Sequence, residues 1–112
     1  MSENIGFAGQ IGPEHVDQIV AKGFKSLINN RPDYEGGTEQ PTSAQIEEAS
    51  REAGLDYVYQ PVVSGQITEL DVREFANHYN ELPKPILMFC RTGNRANNLY
   101  QIAKQMDLLD DE

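Results

Sequence analysis

One stretch of the chain combines residue types that can do chemistry: Cys90-Arg91-Thr92-Gly93-Asn94-Arg95-Ala96. Cys90 is the only cysteine. The apolar run Ile86 to Phe89 leads into it, and two arginines and a glycine follow within five positions. A lone cysteine after ILMF would by itself read as a small buried hydrophobe. The arginines and glycine fit a core poorly and turn the reading toward a nucleophile. If a helix begins near Asn94 or Arg95, its first N–H groups lack intrahelical acceptors. With the turn amides of Arg91, Thr92, Gly93 and Asn94, they can converge on an anion above the sulfur. Gly93 permits a tight turn or a positive φ. The same field favours a thiolate, the reactive form of cysteine. Arg95 can offer a guanidinium fork to a bound oxyanion, with Arg91 helping from outside.

The elements that must position this loop follow from periodicity and stop signals. Ile5–Ala8 reads as a strand. Pro13 opens a helix whose Val16, Ile19 and Val20 share a face, and Gly23 stops it. A strand is expected over 24–28, then a polar loop over 29–41. Thr42 or Ser43 caps a helix that turns Ile46 and Ala49 or Ala53 inward and closes at Gly54. A strand over 55–63 carries Tyr57 and Tyr59 as core aromatics. Thr68 and Asp71 have capping-box spacing ahead of a helix with Val72, Phe75, Ala76 and Tyr79 inward. The LPKP segment, 82–85, breaks the chain. The unbroken apolarity of Ile86–Phe89 suits a central strand covered on both faces. A last helix over 94–108 presents Leu99, Ile102, Ala103 and Met106. Strands alternating with helices predict an α/β fold of three layers around a mainly parallel central sheet. Ligands of such sheets bind beyond the carboxyl ends of the strands, where Cys90 then sits. With no internal repeat or composition break, residues 1–112 read as a single domain.

The bulk composition limits the alternatives. A chain of 112 residues can bury a core without a disulfide or metal. Nine basic residues face eighteen acidic ones, for a formal charge of -9. That balance opposes broad-surface binding to nucleic acid or anionic membranes, and it leaves room for a local positive pocket. No apolar run approaches the ~20 residues of a membrane span, and the first residues lack the pattern of a signal peptide. With a single cysteine, a reducing, cytoplasmic location is expected. No cofactor is expected: there is no dinucleotide glycine fingerprint and no Walker lysine, and His15 and His78 lack companions at zinc spacing. The acid-rich end, 107–112, is expected to fray.

Other residues reach the same sheet edge. Asn29, Asn30 and Arg31 leave a predicted strand there and could line the pocket. The competing reading is a loop fastened by its Asn side chains and fixed by Pro32. Tyr34 and the residues to Gln40 could form a lid, with Gly36-Gly37 supplying mobility, or be ordinary surface loop. Asn97 or Asn98 could brace the cysteine loop.

The cysteine loop resembles the active loop of rhodanese sulfurtransferases, in which nucleophile and arginine bracket the same number of residues. Over the whole chain, from about residue 7 to residue 108, the sequence resembles the phosphatase-like domain family named after beta-lactamase hydrolase-like proteins. The resemblance rests on Gly9-Gln10, Ile28-Asn29-Asn30-Arg31-Pro32, Ala53-Gly54-Leu55-Asp56-Tyr57, Pro61-Val62-Val63, Gly65-Gln66-Ile67-Thr68 and the cysteine loop, in this order. It implies a bacterial domain with a fold similar to small dual-specificity phosphatases. Such domains occur alone or joined to metallo-beta-lactamase-fold partners that include persulfide-oxidising enzymes. By that analogy Cys90 takes a phosphoryl group while the loop amides and an arginine hold its oxygens.

Three departures from the phosphatase pattern carry chemical weight. Phosphatases place one more residue between cysteine and arginine than separates Cys90 from Arg95. They place histidine before the cysteine, where this chain has Phe89. Their general acid is an aspartate on a loop whose match here, Pro61-Val62-Val63-Ser64-Gly65, offers Ser64. General acid catalysis is worth ~10²–10⁴-fold. Glu69 or Asp71 could replace it, although a helix start also accounts for both. Sulfane sulfur transfer through a Cys90 persulfide to a thiol acceptor needs little leaving-group protonation and is the first reading. Phosphomonoester hydrolysis through phosphocysteine is the alternative, and a non-catalytic anion-binding module is the third. Cys90 and Arg95 are the expected catalytic residues. Arg91, Thr92, Gly93 and Asn94 are the expected anion cradle, and Asn30, Arg31 and Ser64 candidate pocket residues. The expected partners are a small anionic sulfur or phosphate substrate, a thiol acceptor and, by the resemblance, a persulfide-oxidising enzyme.

Overall fold

The computed structural model describes residues 4–110. Strand β1 spans Ile5–Ala8, and a 3-10 turn over Pro13–His15 leads into helix α1, Val16–Ala21. Then come β2 (Ser26–Asn29), α2 (Ser43–Glu52), β3 (Asp56–Tyr59), α3 (Glu69–Glu81), β4 (Ile86–Phe89) and α4 (Asn94–Gln105). The strand order is β1-β4-β2-β3, and every pairing is parallel. One apolar cluster seats α1 and α2 on the sheet, with Val16, Ile19 and Ile46 against Leu27, Leu87 and Phe89. The other seats α3 and α4, with Val72, Phe75, Tyr79, Ala96 and Leu99 against Ile28, Ile86 and Met88. The fold is therefore the expected three-layer α/β arrangement. β4 is buried at every position because its side chains alternate between these two clusters.

The topology places the site. β2 and β4 are neighbours. The chain leaves β2 toward α2 on one face and β4 toward α4 on the other. A crevice opens between loops that diverge in this way, and ligands of open α/β sheets bind there. The segments after β2 (30–42), β3 (60–68) and β4 (90–93) all meet at this edge.

Several element boundaries and faces differ from expectation. β2 starts at Ser26, because Phe24 N–H still bonds to Ile19 O and Lys25 N–H to Pro85 O. β3 ends at Tyr59, just before Pro61, which has no N–H to offer a ladder. Tyr57 is buried, but Tyr59 is 36% exposed on the edge strand, its hydroxyl accepting from Asp33 N–H. Val20 is exposed because the six-residue α1 turns only Val16 and Ile19 inward. α4 ends at Gln105, and the chain reverses at Asp107 with φ 58°. Met106 is thereby left exposed while Leu109 returns to the core. Asn80 holds this return through Leu108 O and Asp110 N–H, so 107–110 are docked rather than frayed. Residues 111 and 112 of the expected frayed end lie outside the described residues.

The loop between β2 and α2 is fastened by its own side chains. Asn29 Oδ1 accepts from Arg31 N–H, Gln40 donates to Pro32 O, and Asp33 Oδ1 accepts from Ser43 N–H. Glu35 Oε1 receives Arg31 Nε at 3.0 Å and Arg95 Nη2 of α4 at 2.9 Å. The Arg95 hydrogen bond, foremost, holds the Glu35 carboxyl below its usual 4.5; partial burial opposes it and Arg31 adds to it.

Two stability predictions follow from these contacts. Gly93 precedes α4 at φ 93°, and a Cβ there would lie 3.4 Å from Ala8 O. Gly93→Ala should cost about 1–3 kcal/mol from the left-handed backbone alone, read as a fall of several degrees in Tm; an unchanged Tm would mean that the turn relaxes freely. A carboxyl depressed in the folded state stabilises it fully above its unfolded pKa and less as pH falls through the folded value. In urea melts, the advantage of wild type over Glu35→Gln should be full above about pH 5 and shrink below about pH 4.5. An advantage unchanged down to about pH 3 would contradict a role for the ionised carboxylate.

Candidate active site

Cys90 ends the central strand with its N–H bonded to Ala8 O at 3.4 Å. The residue is 1% exposed and packs in the same cluster as Ile28, Val62 and Met88. It is thus a buried residue, and it also contributes to the wall of a 480 Å³ cavity. The other residues around that cavity are Ser64, Gly65, Ile67, Arg91, Thr92, Asn94, Arg95 and Asn98. Gly93 N–H donates to Cys90 Sγ at 3.1 Å, so the turn closes directly on the sulfur. Thr92 Oγ1 accepts from Asn94 N–H at 3.3 Å and so fixes the turn into α4. Among the described residues, the N–H groups of Arg91, Thr92 and Arg95 have no protein acceptor. Arg95 N–H is one of the donors that a helix start leaves over, and Arg91 and Thr92 are turn amides just ahead of it.

Arg95 is 8% exposed, which is unusual for an arginine and demands partners. Nη1 donates to Val62 O at 2.9 Å and to Asn30 O at 3.4 Å. Nη2 donates to Glu35 Oε1. Nε is buried and has no partner among the described residues. Three contacts from two loops, those after β2 and β3, thus hold the guanidinium. Nε and the second hydrogen of Nη2 take no part in these contacts, and an arginine pairs an oxyanion through such a fork.

The expected site residues separate into three groups. Cys90, Arg91, Thr92, Asn94, Arg95 and Ser64 share the cavity, and Asn98, the possible brace, joins them. Gly93 acts through its N–H. Arg31 lies in an adjoining cavity of 620 Å³ with Glu35, Gly36, Ser64, Arg91 and Arg95. Asn30 is not in either wall: its Nδ2 donates to Gln60 O and its carbonyl lies under Arg95, so it supports rather than binds. Asp71 and Glu69, the possible substitutes for an acid, are engaged elsewhere, with Thr68 N–H and with Arg73. Glu35 escapes sequence reading. Its spacing to Arg31 suggests only a local pair, and no local pattern announces a partner sixty residues on. Among the described residues, no cluster of His, Cys, Asp and Glu is placed to hold a metal ion.

Comparison with known proteins agrees with this architecture. Residues 1–107 match the family model for the beta-lactamase hydrolase-like protein, phosphatase-like domain. A beta-lactamase hydrolase-like protein of Agrobacterium fabrum is 37% identical over 107 residues, covering 96% of this chain and 25% of the relative. The chain thus spans about a quarter of the length of that relative. The crystal structure of a candidate phosphatase from Neisseria meningitidis superposes with a TM-score of 0.86 at 32% identity, covering 95% of this chain and 75% of that one. The core catalytic domain of the PP-IP phosphatase SIW14 from S. cerevisiae shares the fold, with a TM-score of 0.63 at 15% identity over 98% of this chain and 67% of that one. Its sequence match and its fold together make the chain a member of the beta-lactamase hydrolase-like protein, phosphatase-like domain family.

Proposed function

We propose that this domain hydrolyses small phosphomonoesters through a phosphocysteine at Cys90. The observation that carries this reading is the buried Arg95 Nε, which has no acceptor among the described residues and belongs to a residue of the Cys90 cavity. An orphaned buried donor costs ~1–3 kcal/mol, and an anionic oxygen would recover it. The family description and the Neisseria relative support phosphorus over sulfur as the atom attacked.

In the first step the Cys90 thiolate attacks phosphorus, a P–S bond forms and the P–O ester bond breaks. The Arg95 fork and the loop amides receive the negative oxygens of the transition state. Water then attacks the thiophosphate, releasing inorganic phosphate and restoring the thiolate; the proton lost by water passes to solvent and balances the one that the departed oxyanion takes from solvent. Among the described residues the Cys90 cavity contains no carboxylate. Glu35, in the adjoining cavity, is held ionised by two arginines and has no proton to give near neutral pH. The leaving group must therefore depart unprotonated, which favours acidic phenols and phosphoric or carboxylic anhydrides over alkyl esters.

The same lack of a carboxylate favours a second reading, sulfane sulfur transfer. There the thiolate attacks the outer sulfur of a donor such as thiosulfate, a new S–S bond forms and sulfite leaves with the electron pair. The Cys90 persulfide then passes its outer sulfur to a thiol acceptor. Neither product needs protonation to leave.

Acid-quenched reactions separate the two readings. Wild type incubated with an aryl phosphate should show phosphate on Cys90 by mass spectrometry, and Cys90→Ser should lose essentially all turnover. A persulfide on Cys90 from thiosulfate, with no phosphorylated species from any ester, would move the assignment to sulfur. Across a series of aryl phosphates, log kcat/KM should rise steeply as the phenol becomes more acidic. A flat dependence would reveal a proton donor, a contribution of ~10²–10⁴-fold. Arg95→Lys, which keeps the charge and loses the planar fork, should reduce kcat/KM by about 10²-fold or more. An Arg95→Lys protein as active as wild type would contradict the fork.

A further inference from the structure

The chain has five arginines, and two of them, Arg51 and Arg73, are paired with Glu47 and Glu69 one turn away on exposed helix faces. The other three, Arg31, Arg91 and Arg95, meet in the 620 Å³ cavity beside Cys90, with Glu35 as its one carboxylate. Three positive charges against one negative leave a local excess of two in a chain whose formal charge is -9. Such a local inversion requires specific placement, because the mean field of the chain repels anions.

The individual contacts show what is left over. Glu35 serves both guanidinium groups through the same oxygen, Oε1. The side chain of Arg31 is 11% exposed, held by Glu35 and by Gln10 Oε1 at 3.0 Å to Nη1. Its Nη2 lies against the backbone of Gly36, where an added Cβ would approach to 2.6 Å, so only glycine leaves it this position. Arg91 is exposed, and among the described residues its side chain forms no ion pair. Fastening the loop accounts for Arg31–Glu35 and does not account for Arg91. The two cavities share Ser64, Arg91 and Arg95, so a ligand oxyanion above Cys90 lies next to the second chamber.

From this arrangement we infer that the chamber bounded by Arg31 and Arg91 is a second anion subsite, and that the ligand of Cys90 carries two anionic groups on one small molecule. This rests on the phosphoryl reading of the Cys90 cavity and narrows its substrate class to compounds with a second anionic group beside a good leaving group, such as phosphoanhydrides. Arg95 faces both chambers and joins the two anions. Glu35 limits the excess charge when the chamber holds no anion and keeps both guanidinium groups oriented.

Calorimetric titration of the full chain, at fixed pH and ionic strength, tests this with inorganic phosphate and with methylenebisphosphonate, which has two anionic groups and no hydrolysable bridge. Wild type should bind the bisphosphonate about tenfold more tightly than phosphate, equivalent to about 1.4 kcal/mol. Arg31→Gln and Arg91→Gln should each reduce that ratio to about threefold or less. Arg51→Gln makes the same change in net charge far from the cavity and should leave the ratio as it was. Arg91 is exposed, so its variant answers even if Arg31→Gln loosens the loop. Phosphate binding with no preference for the bisphosphonate would overturn the second subsite and leave the phosphoryl reading intact. A preference unchanged in both cavity variants would overturn it equally. Failure of both anions to bind would remove the subsite together with the reading on which it rests.

Discussion

The candidate site depends on how a buried guanidinium is satisfied. A charge with so little access to water is tolerable only with hydrogen-bond partners of the right geometry. Arg95 finds them in Val62 O, Asn30 O and Glu35 Oε1. Those partners belong to the segments that follow β3 and β2, while Arg95 itself follows β4. The same contacts that make its burial tolerable therefore fix the relative positions of three loops. The cavity around Cys90 follows from that arrangement. Replacing any one partner would leave a buried charge short of an acceptor, so the loops cannot drift independently.

The sheet supplies the rigid base beneath them. Parallel strands buried on both faces leave their carboxyl ends at one edge, and the two helix layers close the sides. Phe75, Tyr79, Ile86, Met88 and Leu99 are each at 0% exposure in one continuous cluster. Each side chain of this kind stabilises the folded state by about 1.5–3 kcal/mol. Against that, the neighbouring ion pairs on the helix surfaces contribute little. The active-edge loops can thus hold an orphaned donor and a left-handed glycine, because the layers below more than offset the cost.

Much of the fold was legible because its signals are local. ILMF announced a central strand, Thr68 with Asp71 announced a helix start, and Gly93 announced a tight turn into the last helix. The boundaries that moved did so through contacts distant in sequence. Lys25 bonds to Pro85, Leu109 docks under the hold of Asn80, and Tyr59 sits on an edge because no fifth strand pairs with β3 among the described residues. Asn30 stayed open between pocket and fastening for the same reason: strand direction placed it at the right edge, and its partner Gln60 belongs to the next strand's end. Glu35 had no periodicity to mark it. The chemistry was the least legible part, since the residue count of the cysteine loop pointed toward sulfur while the family to which the chain belongs is described as phosphatase-like.

The order of the strands has a consequence for biosynthesis. β4 lies inside the sheet and is the last strand among the described residues; Ile5 and Ser26 both take Ile86 as their neighbour. While a ribosome is still making the first eighty or so residues, β1 and β2 have no shared partner, and only β2 and β3 can pair. The late arrival of β4 joins the two halves at once and delivers Cys90 and Arg95 in the same event. A nascent chain that stalls before this point has neither a closed sheet nor any part of the cysteine loop.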